Sequence, residues 1–129
     1  MNKRTKKIFR DLTSVAAATP KVANHRLAAA IVSKGKIISI GSSSYKSSPF
    51  QKKYAADEHK IFLHAEISAI KKALRSLTVD ELKATSLYVC RVKSRGWGNS
   101  KPCIGCQRAI VEFGIKNVWY TTESGLKCL

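Results

Sequence analysis

Acidic side chains are scarce in this sequence: 8 Asp and Glu stand against 24 Lys and Arg, giving a formal net charge of +16. A surface that basic repels itself and gathers polyanions, so a phosphate-bearing partner is expected, either a nucleotide or a single-stranded nucleic acid. No apolar run approaches the length of a membrane span, so no membrane partner is expected. The start is basic (Lys3, Arg4, Lys6, Lys7), but Arg10 and Asp11 interrupt the apolar core that a secretion signal needs. Internal repeats are lacking, as is any linker long enough to divide the 129 residues. One domain over residues 1–129, in the cytoplasm, is the expectation.

Four cysteines are present, and their spacing argues against a disulfide framework. Pro102-Cys103-Ile104-Gly105-Cys106 carries the C-x-x-C pattern of metal or redox work in a reducing compartment, and a His is available to complete a metal site. Cys90, inside an apolar run, reads as a buried thiol.

The periodicity predicts an amphipathic helix over Thr5 to Ala18, with Ile8, Phe9, Leu12, Val15 and Ala16 on its apolar stripe. Arg26 to Ser33 and Lys36 to Ile40 flank Lys34-Gly35 and predict a hairpin whose small alanines admit closely packed helices. Ser42 to Ser48 is a serine-rich stretch ending at Pro49 and is a candidate substrate loop. The strongest helix is predicted over Ile61 to Leu77, and Thr78-x-x-Glu81 has the form of a capping box. A buried strand is predicted at Ser86 to Val92, followed by a basic loop to Lys101 that carries Trp97. A helix over Cys103 to Phe113 stops at Gly114. A strand over Ile115 to Tyr120 and a short tail complete the chain. Alternating strands and helices predict an α/β fold: a three-layer α/β/α sandwich around a mixed sheet of four to five strands.

His64, Cys103 and Cys106 supply one nitrogen and two sulfur ligands. Three protein ligands leave the fourth tetrahedral position of a zinc ion open, which distinguishes a catalytic site from a closed structural one. Cys103 and Cys106, three apart at a helix start, share a face, and the helix dipole there favours thiolates. His64 opens the other helix, so two helices lying side by side would bring the ligands together. Glu66, two residues past His64, is a carboxylate with no ligand duty and is suited to moving a proton. Taken alone, the Cys pair is open to a redox reading, and a structural zinc would recruit Cys90 or Cys128 as fourth ligand.

His64-x-Glu66 followed by Pro102-Cys103-x-x-Cys106 is the signature of zinc-dependent base deaminases. From about Arg26 to Tyr120 the chain resembles the cytidine and deoxycytidylate deaminase superfamily. Glu66-x-x-Ala69-Ile70 and Gly114-Ile115-Lys116-x-Val118 are most similar to deoxycytidylate deaminases. The resemblance implies a cytidine deaminase-like fold, Zn2+ on His64, Cys103 and Cys106, Glu66 as catalytic proton shuttle, and backbone contacts to the base from Ala65 and Cys103. It also implies a homo-oligomer. Relatives place an Asn after the Gly that ends the second strand; here Gly41 is followed by serines, with Ser43 nearest. Two substrate classes follow. One is a cytosine nucleotide, its phosphate attracted by Arg91, Arg95, Lys101 and Lys46. The other is single-stranded DNA or RNA, tracked by the basic N-terminal helix with Trp97 or Tyr45 stacked on a base. A nucleic-acid-binding protein with a structural zinc is the non-enzymatic alternative.

Overall fold

The computed structural model describes residues 3–19, 26–43 and 64–129. In chain order the elements are α1 (Lys3–Ala18), β1 (Arg26–Ser33), β2 (Lys36–Ser42), α2 (Ala65–Ala73) and α3 (Val79–Leu82). There follow β3 (Ser86–Lys93), β4 (Gly96–Gly98), α4 (Ile104–Glu112), β5 (Asn117–Thr122) and β6 (Gly125–Cys128).

The hairpin forms as the sequence demands. Ser33 pairs with Lys36, and the two residues between them, Lys34 and Gly35, take φ of 52° and 76°. Two consecutive positive φ values make the tight turn whose twist matches that of the flanking strands. β1 then pairs antiparallel with β3, which runs parallel to β5, giving the order β2-β1-β3-β5-β6 with β4 on the far end of β3. The sheet is mixed, as expected, but has six strands among the described residues. The basic loop after β3 contains β4, which turns back so that Val92 pairs with Trp97. The expected tail after Tyr120 is β6, paired antiparallel with β5. Both extra strands are short and rich in Gly or charge, so their side chains gave no alternating apolar signal; the neighbouring strand's hydrogen bonds hold them.

β1 is buried on both faces, and its alanines decide how closely the helices approach. Ala28 and Ala30 join Ile8, Phe9, Leu12 and Ala16 of α1 in one cluster. Ala29 and Ile31 face the other way and pack with Ala65, Ala69, Ile70 and Ala73 of α2 and Ile110 of α4. α1 therefore covers one face of the sheet and α2 and α4 the other, the three-layer sandwich expected. The Thr78–Glu81 capping box is formed: the Thr78 amide donates to Glu81 Oε1 (2.9 Å) and the Glu81 amide donates to Thr78 Oγ1 (3.1 Å). The predicted helix start at Ile61 and the whole Ser44–Pro49 segment lie outside the described residues, as do Tyr45, Lys46, His25 and His59.

Candidate metal centre and active site

α2 and α4 lie side by side, joined by Ile67, Cys106 and Ala109, with Cys103 and Phe113 packed against them. Both helices begin on a metal-ligand residue. His64 caps α2 with φ −82° and ψ 155°, and Cys103 caps α4 with φ −68° and ψ 169°. Neither side chain makes a capping bond to its own helix. Ser, Thr, Asp or Asn would normally occupy such positions and satisfy the exposed amides. Here the cap side chains turn to each other instead.

His64 Nδ1 lies 3.3 Å from Cys106 Sγ and 3.6 Å from Cys103 Sγ, and the three ligand atoms all fall within 4.8 Å of one another. Zn–S bonds of about 2.3 Å and Zn–N bonds of about 2.0 Å at tetrahedral angles require a nitrogen–sulfur separation of roughly 3.6 Å. The separations found suit that ion, and so do the donors: two thiols and one imidazole, the set that takes zinc with one position open. Cys90 is not drawn in. It lies on the α1 face of the sheet, within hydrogen-bonding reach of Thr13 Oγ1 at 3.6 Å. Cys128 is exposed on β6. Neither completes a closed four-ligand site.

Gly41 brings the end of β2 against the first turn of α2. A β-carbon there would lie 2.6 Å from the Ala65 carbonyl oxygen and 2.7 Å from Ser68 Cβ, and would also strike the Ala69 amide. Only glycine lets the two backbones meet this closely. Ser39 reinforces the contact, its hydroxyl donating to the Ala69 carbonyl (2.7 Å). The approach to Cys103 is fixed separately. Ser100 Oγ accepts from the Thr121 amide (2.8 Å) and lies within bonding distance of the Val89 carbonyl (3.0 Å), tying the loop to β3 and β5. Gln107 reaches back from α4, donating to the Pro102 carbonyl (2.8 Å). The sequence reading missed Gly41, Ser100 and Gln107 as positioning residues. The Gly ending β2 was visible; the close contact behind it was not.

Glu66, in the first turn of α2, is 5% exposed. Burial pushes its carboxyl upward, while its own amide, the neighbouring His64 and a hydrogen bond with Cys106 pull the other way. The two thiols share a proton unequally. The hydrogen bond with Cys106 draws Cys103 down to about 3. That same bond and burial drive Cys106 upward.

Ala65 is fully buried at the start of α2, and Ser43 is half-buried just beyond β2, beside the Gly41 contact. Trp97 is placed elsewhere. Its indole N–H donates to Thr13 Oγ1 (3.0 Å), its ring is tilted against Phe9, and it belongs to the α1 cluster on the opposite face. The structure does not bring it to the ligand cluster. Half-buried, it packs from β4 against the α1 cluster, a contact its glycine neighbours concealed. Among the cations named for phosphate, Arg95 and Lys101 are exposed, and buried Arg91 Nε has no hydrogen-bond partner among the described residues.

An α/β/α sandwich with an open His-Cys-Cys centre and a buried carboxylate beside it defines a zinc-dependent hydrolytic enzyme. The chain belongs to the cytidine and deoxycytidylate deaminase family, whose zinc-binding region matches residues 2–122. It is therefore a hydrolytic C–N-cleaving deaminase that binds zinc. No curated protein matches it by sequence. Among solved structures it is similar to a dCMP deaminase from the cyanophage S-TIM5, at 19% identity over 95% of this chain and 86% of that one, with a TM-score of 0.65. A cytidine deaminase from Burkholderia pseudomallei is 19% identical over 93% of this chain and 90% of that one, with a TM-score of 0.63. A structure from work on A-to-I editing by tRNA:A34 deaminases is 23% identical over 90% and 71%, with a TM-score of 0.57. At these identities the likeness is one of fold.

Proposed function

We propose that the chain deaminates a cytosine nucleotide of the deoxycytidylate type, releasing ammonia and leaving the uracil form. The observation that carries this reading is Glu66, a buried carboxyl two residues past the ligand His64 yet outside the ligand set. A structural metal has no use for such a group. His64, Cys103 and Cys106 would hold the ion. Bound zinc supplies Lewis acidity, lowering the pKa of water toward neutrality.

Glu66 carries the proton. Its carboxylate accepts one from the attacking water and delivers it to the ring nitrogen N3, then takes the second from the hydroxyl now on C4 and passes it to the departing amine. Oxygen is gained at C4 and nitrogen leaves as ammonia, so atoms and charge balance. The amides at the start of α2, Ala65 among them, have no partner within their own helix and would be donors to the base. Ser43, two residues past Gly41, is assigned to the sugar hydroxyl, as the residue nearest the Asn position of relatives.

The net charge favours a second reading, a polynucleotide substrate, since one nucleotide needs few of the 24 Lys and Arg residues. The cysteine ligands suit the reducing cytoplasm. Ile104 and Val111, 63% and 78% exposed on α4, support a homo-oligomer. No helix among the described residues is long and apolar enough to cross a membrane.

The test is ammonia release and base conversion by zinc-loaded protein on deoxycytidylate, cytidine, adenosine, single-stranded DNA and transfer RNA, with Glu66→Gln as control. Turnover of free cytosine nucleotide, lost in the control, is expected. Conversion only within a polymer would replace this reading with the second.

A further inference from the structure

The N-terminal helix places several cations where a helix start favours carboxylates. Its first turn holds Lys3, Arg4 and Lys6 and no acidic residue, although the positive end of the helix dipole favours carboxylates there. By contrast α2 begins with Glu66, and α3 with Asp80 and Glu81. A cost of this kind, borne without local compensation, marks a position kept for another purpose.

Helical spacing gathers these cations. Lys3, Lys6, Lys7 and Arg10 fall on the side opposite buried Ile8, Phe9, Leu12 and Ala16, and all four are exposed. Arg4 lies against Gly35 and extends the same surface toward exposed Lys34 and Lys36 on the β1–β2 turn. Asp11 is the single acid on α1. The ion pairs seen among the described residues, Lys83–Asp80 and Lys93–Glu123, do not involve this surface.

The helix is also a firm support. Phe9 stacks on Tyr88 with ring centroids 5.1 Å apart and planes within 5°, and Thr13 receives the Trp97 N–H. Its apolar side is consumed by the sheet, which leaves nothing to insert among lipid chains, as an interfacial helix must. Nor does its outer side present the buried aromatic anchors of a protein interface. The partner that binds through charge alone, by releasing its counterions, is a phosphate backbone.

We propose that the outer face of α1, with Lys34 and Lys36, docks the phosphate backbone of a nucleic acid. The surface lies on the opposite side of the sheet from His64, Cys103 and Cys106. A backbone held there is consequently not the segment whose base reacts. It adds affinity and local concentration, without reading sequence. This goes beyond the nucleotide reading and holds whichever base is deaminated.

The experiment compares three zinc-loaded proteins by fluorescence anisotropy with a labelled mixed-sequence single-stranded DNA over a range of salt. They are the unmodified chain, Lys3→Gln/Lys6→Gln/Lys7→Gln/Arg10→Gln, and a control losing the same charge elsewhere, Lys71→Gln/Arg75→Gln/Lys116→Gln/Lys127→Gln. At about 0.7 per phosphate contact, the α1 variant should lower the slope of log affinity against log salt by about 3 and weaken binding more than tenfold. The control should change both by less than half as much. Equal losses in the two variants would overturn the proposal, since the charge would then act diffusely. So would absence of DNA binding by the unmodified chain, or α1-dependent binding to anionic vesicles in place of DNA. Nucleotide turnover by the unmodified protein, read from the same preparation, separates the two readings: its absence counts against the catalytic assignment and leaves the binding result standing.

Discussion

Gly41 and Ala65 meet backbone to backbone: a β-carbon at residue 41 would lie 2.6 Å from the Ala65 carbonyl oxygen. The end of β2 thus sets the position of the residue that follows His64. Gly41→Ala must push α2 away from the sheet. Overpacking of this kind costs about 1–3 kcal/mol in denaturant unfolding. The displaced His64 should also bind zinc more weakly than in the unmodified protein, as a chelator competition would record.

Glu66→Gln keeps the size of the side chain and removes its proton chemistry. Turnover should fall by roughly 10²–10⁴, the usual contribution of a positioned acid–base group. Zinc content should stay at one equivalent, and thermal stability should not drop, because a buried carboxyl held above its ordinary range by burial is being replaced by a neutral amide. Full activity in this variant would remove Glu66 from the mechanism.

The four thiols should separate into three classes. Cys128 is exposed, Cys103 and Cys106 lie in the ligand cluster, and Cys90 is buried on the other face. A thiol reagent should label Cys128 alone in zinc-loaded protein, Cys103 and Cys106 as well after chelation, and Cys90 only on unfolding. Labelling of Cys103 at the Cys128 rate with zinc present would argue that the pair does not hold the ion.

Thr13→Val removes the acceptor of the Trp97 N–H. Loss of one partly buried hydrogen bond costs about 1 kcal/mol. Turnover of a free nucleotide should be unchanged, since the pair sits on the α1 face. A large fall in activity with little loss of stability would return Trp97 to the substrate.

What the sequence made legible was whatever is local. The ligands and Glu66 were visible because helix starts impose short spacings, and the Lys34-Gly35 turn and Thr78–Glu81 box because their chemistry is contained in a few residues. The setting of Trp97 was hidden because its partners, Thr13 and Phe9, are more than 80 positions away, while its immediate neighbours are glycines. β4 and β6 escaped for the same reason: each is held by hydrogen bonds to a strand its own composition does not mention. Ser100 reads as an ordinary loop serine until β3 and β5 close around it.

Every zinc-site residue sits where the chain enters a helix, and α2 and α4 are each packed against the sheet through buried side chains. A lineage of such proteins can therefore change residues outside these helix starts while the catalytic metal site is inherited intact. Innovation and chemistry are encoded in separable parts of the chain.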